Sequence, residues 1–241
     1  MKKRKPRINK IEIYAIAAIL IIAILGFSYY RYTQTDYNYL KQDKSEHIIY
    51  TLYDNESSTY RIQVPYINIK HDQINEANTN IQQLGNKYKN LKKSVFKYEY
   101  TLNGSVLSLL IKASSYNNAI PEIEFLSYNI NLLTGEILTD DVLLSYYSLN
   151  NQSVSKKIEN QLKKYYNDVL KQGYMSQQEC DYKCFLNVRN IKNYLDNVEY
   201  FIEDGILYAY KPFLTTSIYG EENYFTEDHF KFEIATIPTI E

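Results

Sequence analysis

The apolar positions of this chain fall into patterns with different periods. From Ile13 to Phe27 they form a nearly unbroken run, extended through Ser28, Tyr29 and Tyr30. Those roughly eighteen residues at ~1.5 Å each span about 27 Å, close to the hydrocarbon thickness of a bilayer. Lys2, Lys3, Arg4, Lys5, Arg7 and Lys10 precede the run, Glu12 lies at its inner edge, and Tyr14, Tyr29, Tyr30 and Tyr32 mark its two ends. This distribution predicts a basic cytoplasmic tail over 1–10, one transmembrane helix over 11–30 and an exported remainder, by the positive-inside rule and the aromatic preference for membrane interfaces. Gly26-Phe27-Ser28 followed by Tyr29-Tyr30 makes a poor signal-peptidase site, so the helix is expected to remain as an anchor.

Beyond the anchor the pattern alternates between periods of two and of about 3.6. Residues 31–58 are read as a stalk, because Thr33 to His47 is polar and without periodicity. Tyr60 to Ile69 is rich in β-formers, with Pro65 marking an edge strand or a bulge. Asp72 is the expected N-cap of an amphipathic helix whose inner face carries Ile74, Ala77, Ile81, Leu84, Tyr88 and Leu91. Val95 to Leu102 and Ser105 to Ala113 are two strands joined at Asn103-Gly104, the dipeptide that type I′ hairpin turns prefer. Ile123 to Leu133 forms a long strand closed by Thr134-Gly135.

Val154, Ile158, Leu162, Tyr165 and Val169 then mark a second amphipathic helix, and Val188, Ile191 and Leu195 a short third. Tyr200 to Glu203 and Ile206 to Tyr210 pair across Asp204-Gly205, and His229 to Ala235 supplies a closing strand. Strands joined mostly by hairpins, with helices interposed, predict an α+β fold: an antiparallel sheet with helices packed on one face. Two subdomains are expected, over 59–115 and 116–241.

Charge narrows the class of ligand. Residues beyond the first thirty hold 21 basic and 27 acidic side chains. A negatively charged outer part argues against nucleic acid or anionic lipid as its ligand and is compatible with a cationic partner. The 27 Tyr and the absence of Trp suit rings packed inward with hydroxyls outward. Carbohydrate stacking is the functional alternative.

Candidate chemistry is sparse. His47, His71 and His229 are isolated, without the spacing of a zinc hydrolase, and His71 beside Asp72 is read as a helix-start residue. Neither a nucleophile elbow nor a phosphate-binding glycine loop occurs among seven Gly. The acidic pairs Asp140-Asp141, Glu203-Asp204 and Glu221-Glu222 are read as solvated turn residues. No catalytic residue, metal or cofactor is therefore assigned, and the chain is not expected to be an enzyme. Cys180 and Cys184, on the exported side, are candidates for a small disulfide loop worth roughly 2 kcal/mol, provided their segment is a turn. Candidate binding loops lie near Ser115 to Glu122 and Ser217 to Asp228, carrying Tyr116, Asn117, Asn118 and Glu122, and Tyr219, Glu221, Glu222 and Tyr224.

A series of short segments resembles a known architecture. These are Tyr60-Arg61-Ile62-Gln63-Val64-Pro65-Tyr66, Ile74-Asn75, Leu107-Ser108-Leu109, Tyr128 to Glu136, and Phe201 to Phe213 with Gly220 after it. In order and spacing they resemble the tandem extracytoplasmic region shared by RsiV-type lysozyme-sensing anti-sigma factors and the non-catalytic part of PdaC-type peptidoglycan deacetylases. The resemblance covers most of Thr59 to Ile237. It implies an outer module that binds a lysozyme-like cationic protein or peptidoglycan at a bacterial cell envelope. A tail of Met1 to about Lys10 falls below the ~40 residues needed for independent folding, so a sigma-binding domain is not expected there. Nor is a metal-dependent deacetylase domain. Signalling would then need an unidentified membrane partner.

The function expected is thus a single-pass, membrane-anchored binding or sensing module, its N-terminus cytoplasmic and its C-terminal domain outside. The alternative is an enzyme, or an accessory to one, that modifies wall peptidoglycan through carboxylates brought together only by folding. A purely structural role in organising membrane partners is a third possibility.

Overall fold

Burial and hydrogen bonding organise the described residues into three sheets, the two larger of which carry the core. The computed structural model describes residues 37, 39–43, 45, 47–57, 60–116, 122–173, 198–212, 214–216, 222–224 and 231–236. The chain divides into two compact units, Met1–Tyr39 and Leu40–Glu241, and the second carries all the elements below. They are β1 (Ile49–Glu56), β2 (Tyr60–Ile67), α1 (Asp72–Lys89), β3 (Ser94–Asn103), β4 (Val106–Ser115), β5 (Glu122–Asn131), α2 (Asp140–Tyr146) and α3 (Asn151–Lys171). There follow β6 (Glu199–Glu203), β7 (Ile206–Tyr210), β8 (Leu214–Thr216), β9 (Glu222–Tyr224) and β10 (Lys231–Thr236). The fold is α+β, with sheets ordered β1-β2-β3-β4-β5, β10-β7-β6 and β8-β9.

The five-stranded sheet is mixed, which corrects the all-antiparallel expectation. β2 and β3 run parallel over Tyr60↔Ser94 to Ile62↔Phe96, because α1 carries the chain across between them as parallel pairing requires. β1 lies inside the segment read as a stalk. Its partner assignments jump from Thr51↔Pro65 to Tyr53↔Val64, so Leu52 bulges out and breaks the alternation that announces a strand. The bulge expected near Pro65 is thus present, in the facing strand. β5 pairs with β4 from Val106↔Asn131 to Ser115↔Glu122, so one sheet spans the subdomain boundary drawn at 115/116.

α1 covers β2, β3 and β4 with the expected face: Ile74, Ala77, Ile81 and Tyr88 are buried, while Leu84 and Leu91 are half-buried. Burying such side chains contributes about 1.5–3 kcal/mol each. The N-cap is His71, not Asp72: its Nδ1 accepts from the Gln73 N–H at 3.3 Å, and Asp72 takes the first helical turn. β4 is buried on both faces. One face meets α1 and the other meets the three-stranded sheet. α2 and α3 cover that second sheet through Leu143, Leu144, Val154, Ile158, Leu162 and Tyr166, packed with Tyr200, Ile202, Leu207 and Phe232. The helices therefore serve two sheets, not one face of one sheet. Tyr166, not Tyr165, is the buried tyrosine of α3.

The two hairpins differ in their turns. Asp204 and Gly205 have φ of 50° and 77° between Glu203 and Ile206, the double left-handed conformation of type I′. Between Asn103 and Val106 the loop is Gly104-Ser105, with only Gly104 at positive φ, 60°. That places glycine first, as type II′ requires, in place of the expected I′.

Among the described residues no helix is long and apolar enough to cross a membrane. The anchor over 11–30, Cys180 and Cys184, the short helix around Ile191, and Asn117, Asn118, Tyr219 and Glu221 lie outside the described residues.

Candidate functional site

The outward edge of β6 docks side-on against the face of the five-stranded sheet. In the β6–β7 hairpin the N–H and C=O of Tyr200 and Ile202 point away from β7, and buried backbone groups of this kind need partners. Side chains supply them. Ser127 Oγ accepts from Tyr200 N at 3.1 Å, and Asn129 Nδ2 donates to Tyr200 O at 2.9 Å. Ser108 Oγ accepts from Ile202 N at 3.0 Å and donates to Asn129 Oδ1 at 2.6 Å. Thr101 Oγ1 and Asn103 Nδ2 donate to Ile202 O. This explains two buried polar residues, Ser108 and Asn129, in strands that otherwise carry core.

Glu199 begins this seam. Its Oε2 accepts from the Ser127 N–H at 2.6 Å and the Ser127 hydroxyl at 2.8 Å. Burial pushes the carboxyl up, the two Ser127 bonds oppose the rise, and Asp140 and Glu124 add to it, which leaves the group at about 7. Asp140 is itself raised, by burial and then by Asp141. The Tyr128 phenol is raised by burial, while a hydrogen bond with Asn80 opposes the rise and Glu199 and Glu76 add to it.

A cleft of about 270 Å³ opens beside Tyr128. α1 contributes Gln73, Glu76, Ala77 and Asn80 to one wall; Tyr128 and residues 137–139 provide the rest. Positions 73, 76, 77 and 80 fall on one helical face by their spacing. Gln73 Oε1 accepts from Ile137 N at 3.1 Å, tying the walls together. No Lys, Arg or His occurs between Asp72 and Asn86, or between Lys112 and Lys156, the stretches that build the cleft.

No family model, curated protein or solved structure matches the chain.

Of the candidate loop residues, Tyr116, Glu122, Glu222 and Tyr224 lie among the described residues. Tyr116 is exposed just past β4. Glu122 sits at the far end of β5 from Tyr128, where Lys87 pairs with it at 2.8 Å and with Glu124 at 2.9 Å. Both of those ion pairs are substantially exposed, so each contributes little. Glu222 and Tyr224 lie on β9, opposite Thr216 and Leu214. Asp140 and Asp141 form the first turn of α2, behind the N-cap Thr139, and Glu203 pairs with Lys231. Among the described residues no three His, Cys, Asp or Glu are placed to hold a metal ion.

Glu76, Asn80 and Glu199 were not singled out from the sequence, and Tyr128 only as the start of a segment that carries the resemblance. The signal open to reading was the long cation-free stretch around Tyr128. Nothing local links it to residue 76 or 199.

Proposed function

We propose that this chain is a membrane-anchored, extracytoplasmic binding or sensing module of a bacterial cell envelope that recognises a cationic secreted protein such as a lysozyme, with wall peptidoglycan as the other envelope ligand. The anchor over 11–30 and its basic flank support the placement, with the N-terminus in the cytoplasm and the C-terminal domain outside. The resemblance to the outer module of RsiV-type anti-sigma factors supports the class of ligand. The observation that carries the reading is the cleft beside Tyr128: its walls hold the carboxylate of Glu76, and the stretches of chain that form it carry no cation. Complementary charge of this kind steers a basic partner and sets its orientation.

The test uses the full-length chain in nanodiscs. A lysozyme is expected to bind saturably at low salt and to weaken as ionic strength rises through about 0.1 M, where the screening length falls to ~10 Å. Absence of binding both to lysozyme and to purified peptidoglycan sinks the reading. Release of sugars or acetate from purified wall by the same preparation would favour a wall-modifying enzyme in its place.

A further inference from the structure

We infer that the cleft between α1 and residues 137–139 is a receptor for one cationic side chain, a guanidinium or an ammonium on an aliphatic stem. The inference rests on the reading of the module as a binder of cationic protein and names the group it grips.

The division of labour among the lining residues carries it. Gln73 is committed to Ile137 N, and this bond, one turn before Glu76 on α1, ties the two walls together. Glu76 has no hydrogen bond or ion pair among the described residues, and its carboxylate stands exposed at the cleft. It is the lining carboxylate that the fold does not use.

Size and polarity fit one side chain. A volume of about 270 Å³ lies below the roughly 300–1,000 Å³ of pockets for drug-sized ligands. Ala77, Ile137 and Leu138 give the recess an apolar lining for a methylene stem, which Lys and Arg bury while keeping the charged head in a polar setting. The Tyr128 ring adds an aromatic surface of the kind that attracts cations. Glu76 and Glu199 both act on the Tyr128 phenol, and the stretches of chain that form the cleft carry no cation.

Saturation-transfer NMR on the full-length chain in nanodiscs, with N-acetyl-arginine amide, N-acetyl-lysine amide and the isosteric but uncharged N-acetyl-citrulline amide as probes, tests the site. Transfer is expected for both cations and not for citrulline. Glu76→Gln, an exposed and nearly isosteric change, is expected to weaken the cations about two- to five-fold, the range of an exposed ion pair. Glu159→Gln, on α3 in an exposed pair with Lys163, is expected to leave them unchanged. Equal transfer from citrulline, or cation binding indifferent to Glu76→Gln, overturns the inference. A lysozyme binding experiment on the same variants separates this outcome from failure of the broader reading. Lysozyme bound equally by wild type and Glu76→Gln rejects the cleft while leaving a cationic-protein module intact. Cations weakened by Glu76→Gln, with lysozyme not bound at all, support the cleft with a free amine or guanidine as its guest and reject lysozyme.

Discussion

Glu199 combines three pressures that seldom meet on one carboxyl: burial, two donors from Ser127, and acidic neighbours in Asp140 and Glu124. Burial prevails, holding it at about 7 against an ordinary 4.5. A carboxyl whose folded value is raised contributes stability that is complete below its unfolded value and is lost as pH rises through the folded one. Thermal unfolding should therefore show stability falling between pH 4.5 and about pH 7, and Glu199→Gln, which keeps an acceptor for Ser127 without a charge to desolvate, should flatten that fall. Identical pH slopes in the two proteins would show that this carboxyl does not control the window. The sequence displays Glu199 only as the acid before a strand. Its environment comes from Ser127 and Asp140, more than fifty residues away along the chain.

α1 shows how an element read correctly from its periodicity still hides its tightest contact. Its apolar stripe was legible, whereas Gly85 had no evident role. In the fold, a β-carbon at Gly85 would lie 2.7 Å from the Val64 Cγ2 methyl of β2, so the glycine sets how closely helix and sheet approach. Alanine there gains up to ~1 kcal/mol of helix propensity against the ~1–3 kcal/mol of an overpacked core. The β-branched Val64 has little freedom to retreat. Gly85→Ala is expected to lower the denaturation midpoint, and to lower it less in a Val64→Ala background that opens the space. A midpoint unchanged or raised by Gly85→Ala alone would mean that helix and sheet relax apart at little cost. Neighbouring elements failed to show in the sequence for equally local reasons: β1 loses its alternation at the Leu52 bulge, and α2 is only seven residues long, too short for a periodic signature.

At the scale of the molecule, the two sheets meet through a polar seam of side chains on the β6 backbone instead of sharing a hydrogen-bonded edge. Asn129 is central to it, bonded to both Ser108 and Tyr200 O. Asn129→Ala leaves the Tyr200 carbonyl without that donor in a buried setting, for which the expected cost is ~1–3 kcal/mol. Equilibrium denaturation measures it, and a loss within the ~0.5 kcal/mol of ordinary surface substitutions would show that the seam is replaceable.

The sequence by itself determined what short range controls. Hydrophobic period specified α1 and α3, and turn chemistry placed both hairpins. The class, α+β, followed from their order. Tertiary structure alone decided the parallel step from β2 to β3, the joining of β5 to β4 across the drawn boundary, the seam, and the cleft where Glu76 of α1 approaches Tyr128 of β5. These depend on pairings such as Thr101 with Ile202, 101 residues apart. Such contacts follow from which surfaces must be buried together and which backbone groups then need partners, a condition on the whole chain that no local window of residues contains.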